Sequence, residues 1–290
     1  GGGGGGGAPV TWEALVKQGI ELHDKADKKK ESDPASATAW LREAIQRYEA
    51  AEKVMPEGES SLDLKYNMGV AFGTFAAVLK KSDARNSKAQ ADEAFAAACN
   101  LYSEITEQEP VQYDPTHADA LNNWGAILSL FADGLPKVDA VAFLGDACEK
   151  LTRANALAPA DFEVVNNHAD ALASWGELLS ADAQGNAVLS PEAEALWQQA
   201  YEKYAQVLSL TQYDCDKVDC LCNWNDALQR HAAKRNAAGD RAGAYSLYQA
   251  ATARLEEVVK KQPFECDGLV ALAEAQKSAA ECAGCGGSLG

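Results

Sequence analysis

The sequence predicts an all-α fold, a solenoid of about five helix pairs followed by one unpaired capping helix. Three observations predict it. One stretch is duplicated: Gln112-Tyr113-Asp114 recurs as Gln212-Tyr213-Asp214, and at the same offset of 100 Asp119, Leu121, Asn123 and Trp124 recur as Asp219, Leu221, Asn223 and Trp224. A helical pattern of Ala, a large apolar residue four on, a smaller one three beyond and Pro five further recurs five times along the chain. Ahead of each copy stands a second helical pattern with a small residue near its centre. Such periodicity marks stacked supersecondary units, each too small to bury its apolar face without a neighbour.

In chain order, the first pair reads Leu15, Gln18, Gly19, Leu22, then Ala44, Tyr48, Ala51, Pro56. The second reads Lys65, Met68, Gly69, Phe72, then Ala98, Tyr102, Ile105, Pro110. The third, Leu121, Trp124, Gly125, Leu128, then Ala147, Leu151, Ala154, Pro159, is the clearest copy. The fourth has Val165, His168, Ala169, Leu172, then Ala200, Tyr204, Val207, with Gln212 in place of proline. The fifth has Leu221, Trp224, Asn225, Leu228, then Ala251, Leu255, Val258, Pro263, and Leu269, Leu272, Ala273 begin a sixth with no second helix. Steps of three and four put these residues on one helix face, and proline ends the helix. The pairs are expected at about 11–56, 61–110, 115–159, 161–212 and 216–263, with the cap at 265–280, where Glu274, Lys277 and Ser278 supply a polar end face. The Gly-rich residues 1–10 and the Cys/Gly-rich residues 281–290 read as flexible ends.

These paired patterns resemble the tetratricopeptide repeat, whose first helix carries W-x2-L-G-x2-Y and whose second carries A-x3-F followed by Pro. The resemblance covers about residues 11 to 280. It implies that Gly125 and Ala147 let two helices approach closely while the Tyr or Leu four residues on fills the groove between neighbouring repeats. The chain departs from a 34-residue unit, since Asn67, Asn123, Asn167 and Asn223 are spaced 56, 44 and 56 apart. The extra residues fall within 28–37, 80–88, 132–138, 181–191 and 234–241, which predicts a lengthened first helix and a polar loop at one rim.

Composition narrows the function. Hydrophobic residues make up 47% and charged residues 24%, enough apolar material for a folded core. With Lys+Arg 26 against Asp+Glu 43, the net charge of −17 repels a phosphate backbone and argues against an RNA-binding helical repeat. No apolar run reaches the roughly 20 residues of a membrane-spanning helix. The sequence shows no nucleotide-binding glycine loop, H-E-x-x-H or G-x-S-x-G, and His23, His117, His168 and His231 are scattered, so no enzyme, cofactor or small-molecule substrate is expected.

The expected function is a scaffold or assembly factor that holds a basic or extended client segment in an acidic, Asn-lined groove. In the family the first helices line that groove, which here carries Asn67, Asn123, Asn167 and Asn223, amides able to donate to and accept from an extended backbone. Each of six first helices also has an acid five residues before the bulky position: Glu13, Asp63, Asp119, Glu163, Asp219 and Asp267. These either cap their helices or form an acidic stripe that selects a basic partner. Arg230 is one of few cations at groove positions, which disfavours the grip on chaperone carboxylate tails known in the family.

Of the eight cysteines, Cys99 and Cys148 read as small buried hydrophobes, and the five- and two-residue gaps between Cys215, Cys220 and Cys222 fit zinc poorly. Cys282-Ala-Gly-Cys285 has redox or half-zinc spacing, and a regulator acting through it is the alternative function. The cysteine pattern points to a reducing intracellular compartment, and the heavy use of Ala and Gly is similar to that of tetratricopeptide proteins of green algal or plant chloroplasts. A cytoplasmic scaffold fits equally.

Overall fold

The computed structural model describes residues 11–56, 61–82, 86–107, 115–182, 184–261 and 266–284. Among them are eleven α-helices: α1 (Trp12–Asp27), α2 (Pro34–Val54), α3 (Leu62–Lys80), α4 (Ser87–Thr106), α5 (Pro115–Ala132), α6 (Lys137–Leu157), α7 (Phe162–Leu179), α8 (Pro191–Leu210), α9 (Asp214–Ala237), α10 (Arg241–Lys261) and α11 (Cys266–Gly284). The chain divides into two compact units, Gly1–Ile127 and Leu128–Gly290, with the boundary inside α5. In the first, α1 packs on α2, α3 on α4, and α2 and α1 both touch α3. In the second, α6 packs on α7, α7 on α8, α9 on α10 and α10 on α11, while α9 also touches α7 and α8. Contact between successive first helices, α1 with α3 and α7 with α9, is the stacking expected of a helical-repeat fold.

The extra residues are spent on helix. With 16 residues in α1 and 21 in α2, one pair alone outgrows a 34-residue unit. The second helices lengthen as well as the first, and the loops are shorter than the sequence suggests except between Leu179 and Pro191, because strong start signals lie inside the polar segments. Asp33 caps α2 through Ser36 N with Pro34 at the first position, and Ser190 does the same for α8 through Ala193 N with Pro191. In the second unit the turns between paired helices each hold a glycine with positive φ, Gly134, Gly185 and Gly239, which spares a Cβ clash.

Tyr48 and Tyr102 close on the glycines of their own pairs, while Tyr204 takes the expected place between repeats, stacking on Trp224 of the next first helix at 6.0 Å. A Cβ on Gly19 would lie 2.4 Å from Tyr48, and one on Gly69 would lie 2.8 Å from Tyr102. Both rings are almost wholly buried, each worth on the order of 2–3 kcal/mol of apolar burial. In the fourth pair Ala169 stands at that glycine's position, and the close approach moves two turns on, where a Cβ on Gly176 would lie 3.2 Å from the Trp197 ring.

The C-terminal helix corrects a second expectation. α11 continues to Gly284, so Cys282 lies on its last turn rather than in a flexible tail, and it is buried against Ala232, Ala244 and Tyr248. Its thiol faces the Asn236 side chain at 3.8 Å and the Arg241 carbonyl at 3.5 Å. The alanines of this segment favour helix over loop. Cys285 and the rest of the expected tail lie outside the described residues, as do residues 1–10 and the Asp267 side chain. Cys148 and Cys220 are packed in the core and Cys99, expected there too, is half-buried; burial pushes the Cys99, Cys148 and Cys220 thiols up to about 11, 12 and 12.

Candidate functional site

The second unit concentrates polar side chains along the facing stripes of α7 and α9. On α7, Asn166, Asp170, Ser174 and Glu177 follow one another at helical steps of four, four and three; on α9, Asn223, Asp226, Arg230 and Lys234 follow at three, four and four. The stripes are cross-linked. Asn223 Nδ2 donates to Asp170 Oδ2 at 3.2 Å, Arg230 Nη1 donates to Glu177 Oε2 at 2.8 Å, and Lys234 Nζ stands 3.5 Å from Glu177 Oε1. Arg230 Nε also donates to Asp226 at 2.8 Å, and its guanidinium lies over the Trp197 ring at 5.9 Å.

Asp170 differs from the other carboxylates of this region. Oδ1 accepts the Tyr204 hydroxyl at 2.5 Å, while Oδ2 accepts Asn166 Nδ2 at 3.4 Å as well as Asn223. All three donors are neutral, and no cation lies within ion-pair distance of Asp170 among the described residues. Burial raises its carboxyl to about 6, against the pull of the Tyr204 hydrogen bond and the Arg230 charge. Asn166 Oδ1 is itself buried without a partner.

The α7 stripe leads into a cavity of about 560 Å³. Ser174, Glu177, Arg230 and Lys234 form its polar side, Ala132, Leu135, Ala140, Leu144, Leu178 and Ala181 form its apolar wall, and Ser129, Asp133, Lys137 and Asp182 add further polar groups to the lining. Lys137 closes one end by donating to the Ala181 carbonyl. Behind the polar side lies a buried lock between α8 and α9. The His231 ring stacks on Trp197 at 4.8 Å, and its nitrogens meet Tyr201 Oη at 2.9 Å and Glu194 Oε1 at 3.0 Å. Arg235 pairs with Glu194 and with Asp240, which in turn caps α10 through Gly243 N. This network fixes the rotation of α9, and so the direction in which Asn223, Asp226 and Arg230 project.

Of the residues singled out in the sequence, Asn223 and Arg230 belong to this face. Asn167 does not; it lies about 100° round α7 from Asn166, which takes the bridging position instead. In the first unit Asn123 Nδ2 donates to Tyr66 Oη at 3.1 Å, reaching from α5 back to α3 as Asn223 reaches from α9 back to α7. Two of the four ladder amides thus tie successive first helices together. Asn67, at the corresponding position of α3, is half-buried. Among the acids, Glu13, Asp63 and Glu163 lie in the first turn of their helices, as capping requires. Asp119 and Asp219 do not, because α5 begins at Pro115 and α9 at Asp214. Asp219 and Glu163 are exposed and Asp119 is half-buried, and none of the three is a hydrogen-bond partner of Asp170.

Asp170, Glu177, Asp226 and Lys234 were not picked out from the sequence. A signal for part of the set is present: at the offset of 100, Asp226, Arg230 and Lys234 replace Ala126, Leu130 and Gly134, a polar stripe written over an apolar one. Among the described residues no cluster of three or more His, Cys, Asp or Glu is arranged to hold a metal, and no helix is long and apolar enough to cross a membrane.

No protein-family profile matches the chain, and comparison with curated proteins finds no relative. Among solved structures the fold is similar to that of Nro1, described as a hypoxic regulator of sterol synthesis and nuclear import adaptor: 10% identity over 94% of this chain and 83% of that one, with a TM-score of 0.57. A second structure of Nro1, from S. pombe, aligns over 94% of this chain and 88% of that one at 10% identity and a TM-score of 0.58. At this identity the likeness establishes that the chain shares an all-helical repeat fold with these proteins.

Proposed function

We propose that the chain is a non-enzymatic adaptor of the tetratricopeptide type that holds an extended segment of a client protein along the α7/α9 face of its second unit. The observation that carries this reading is the continuity of the polar stripe with a cavity lined by both apolar and polar side chains. That combination suits a peptide, whose backbone needs donors and acceptors and whose side chains need a place to bury. The fold likeness to an adaptor agrees with a holding role, and the net charge of −17 favours a basic client over nucleic acid. A reducing compartment, chloroplast or cytoplasm, is part of the same proposal and rests on the sequence pattern of the cysteines.

The test is capture of clients from native extract by the full chain and by Glu177→Lys, which puts a third cation beside Arg230 and Lys234. A client retained by the wild type and released by the variant supports the face as the site. Equal retention by a folded Glu177→Lys chain moves the function elsewhere.

A further inference from the structure

We propose, building on the adaptor reading, that the α7/α9 face selects a client segment in which a Lys or Arg stands two or three residues from a bulky apolar residue, the cation meeting Asp170 and the apolar side chain entering the cavity.

Asp170 is the acceptor that lacks a charged partner. Glu177, Glu194, Asp226 and Asp240 each have an Arg or Lys within 4.0 Å, whereas Asp170 is held by a hydroxyl and two amides. A carboxylate accepts about four hydrogen bonds, and three are made, so one lone-pair site is left for an incoming donor. The cost of burying an anion with neutral partners alone falls when a cation arrives, which makes the preference specific for charge rather than for any N–H.

The spacing follows from helix geometry. Ser174 and Glu177, four and seven residues beyond Asp170, line the cavity, so its near edge lies about 6 Å and its middle about 10 Å along α7 at 1.5 Å per residue. An extended peptide advances about 3.3 Å per residue and covers that distance in two or three. The apolar wall, with Leu135 and Leu144 at its sides, takes a side chain of Leu or Met size, and the lining carboxylates Asp133, Glu177 and Asp182 match Lys137, Arg230 and Lys234 in number, so the cavity carries no surplus of positive charge to repel the client's cation.

The experiment is fluorescence anisotropy of the full chain with labelled nonapeptides of Gly and Ser carrying one Arg and one Leu, spaced by two or three residues in both orders. Comparison peptides replace the Arg or the Leu by Ala, or place the two adjacent or six apart. The expected result is at least tenfold tighter binding at the two- or three-residue spacing in one of the orders. Asp170→Asn removes the advantage of Arg over Ala, and Leu135→Ser, at a partly exposed wall position, removes that of Leu over Ala. Affinity that ignores spacing, or an Arg preference that survives Asp170→Asn, overturns the inference. Client capture that still depends on Glu177 would then leave the adaptor reading standing, and loss of both would remove the two together.

Discussion

Tyr48 lies over Gly19 so closely that a Cβ on the glycine would stand 2.4 Å from the nearest ring carbon. The contact sets the distance between α1 and α2, and the Gly69 and Tyr102 contact repeats it between α3 and α4. Gly19→Ala is therefore expected to destabilise the chain by about 1–3 kcal/mol through overpacking, although alanine is the better helix former by about 1 kcal/mol. Gly69→Ala, at 2.8 Å, is expected to cost less. Urea midpoints followed by circular dichroism check the order, and a Gly19→Ala chain as stable as the wild type would refute the packing argument.

The Asn123 bridge to Tyr66 predicts energetic coupling between α5 and α3. In a double-mutant cycle of Asn123→Ala and Tyr66→Phe, the two changes together should cost less than the sum of the singles by about 0.5–1.5 kcal/mol, the net worth of one hydrogen bond. Strict additivity would mean that the amide contributes nothing to stacking.

Two buried groups on α7 give stability opposite dependences on pH. Burial lowers His168 to about 4, so it stays neutral in the fold, and its contribution, complete above about pH 6.5, is lost as pH falls toward 4. Asp170 is raised to about 6 by burial, so its contribution is complete below the ordinary carboxylate value of 3.8 and is lost as pH rises through 6. Each amounts to about 3 kcal/mol, and between pH 4 and 6 they offset one another. Asp170→Asn should steepen the acid loss of stability, and His168→Gln should leave a chain that gains stability as pH falls from 7 to 5. Urea midpoints at pH 4.5, 5.5, 6.5 and 7.5 separate the three proteins; superimposable profiles would disprove the assignment.

Thiol chemistry should follow burial. Cys215 is exposed, while Cys148 and Cys220 are packed in the core with thiols pushed up to about 12. Brief alkylation at pH 8, read by peptide mass spectrometry, should label Cys215 well before Cys148, Cys220 and the buried Cys282. Early labelling of Cys282 would show that the last turn of α11 opens readily.

The helix pairs were legible because their causes are local. Gly19 and Tyr48, or Gly69 and Tyr102, sit at repeated positions whose apolar spacing marks one face of each helix. Helix ends were less legible, since the Asp33 and Ser190 caps lie within segments whose composition reads as loop. At the candidate site, Asn223 and Arg230 were visible as repeated or charged first-helix positions. Asp170 was not, because nothing in its own stretch of sequence distinguishes a solvated aspartate from one enclosed by Tyr204, Asn166 and Asn223.

The sequence by itself determined the fold class, the order of the helix pairs, and which small residues let paired helices approach, because each depends on the period of a single helix. Only the tertiary structure decided that Asp170 meets Asn223 and that Glu177 meets both Arg230 and Lys234. Those partners are more than fifty residues apart in the chain. Their meeting depends on how far α9 is turned against α7, an angle set by the packing of Trp197, Tyr204 and His231 between the helices rather than by any pattern along one of them.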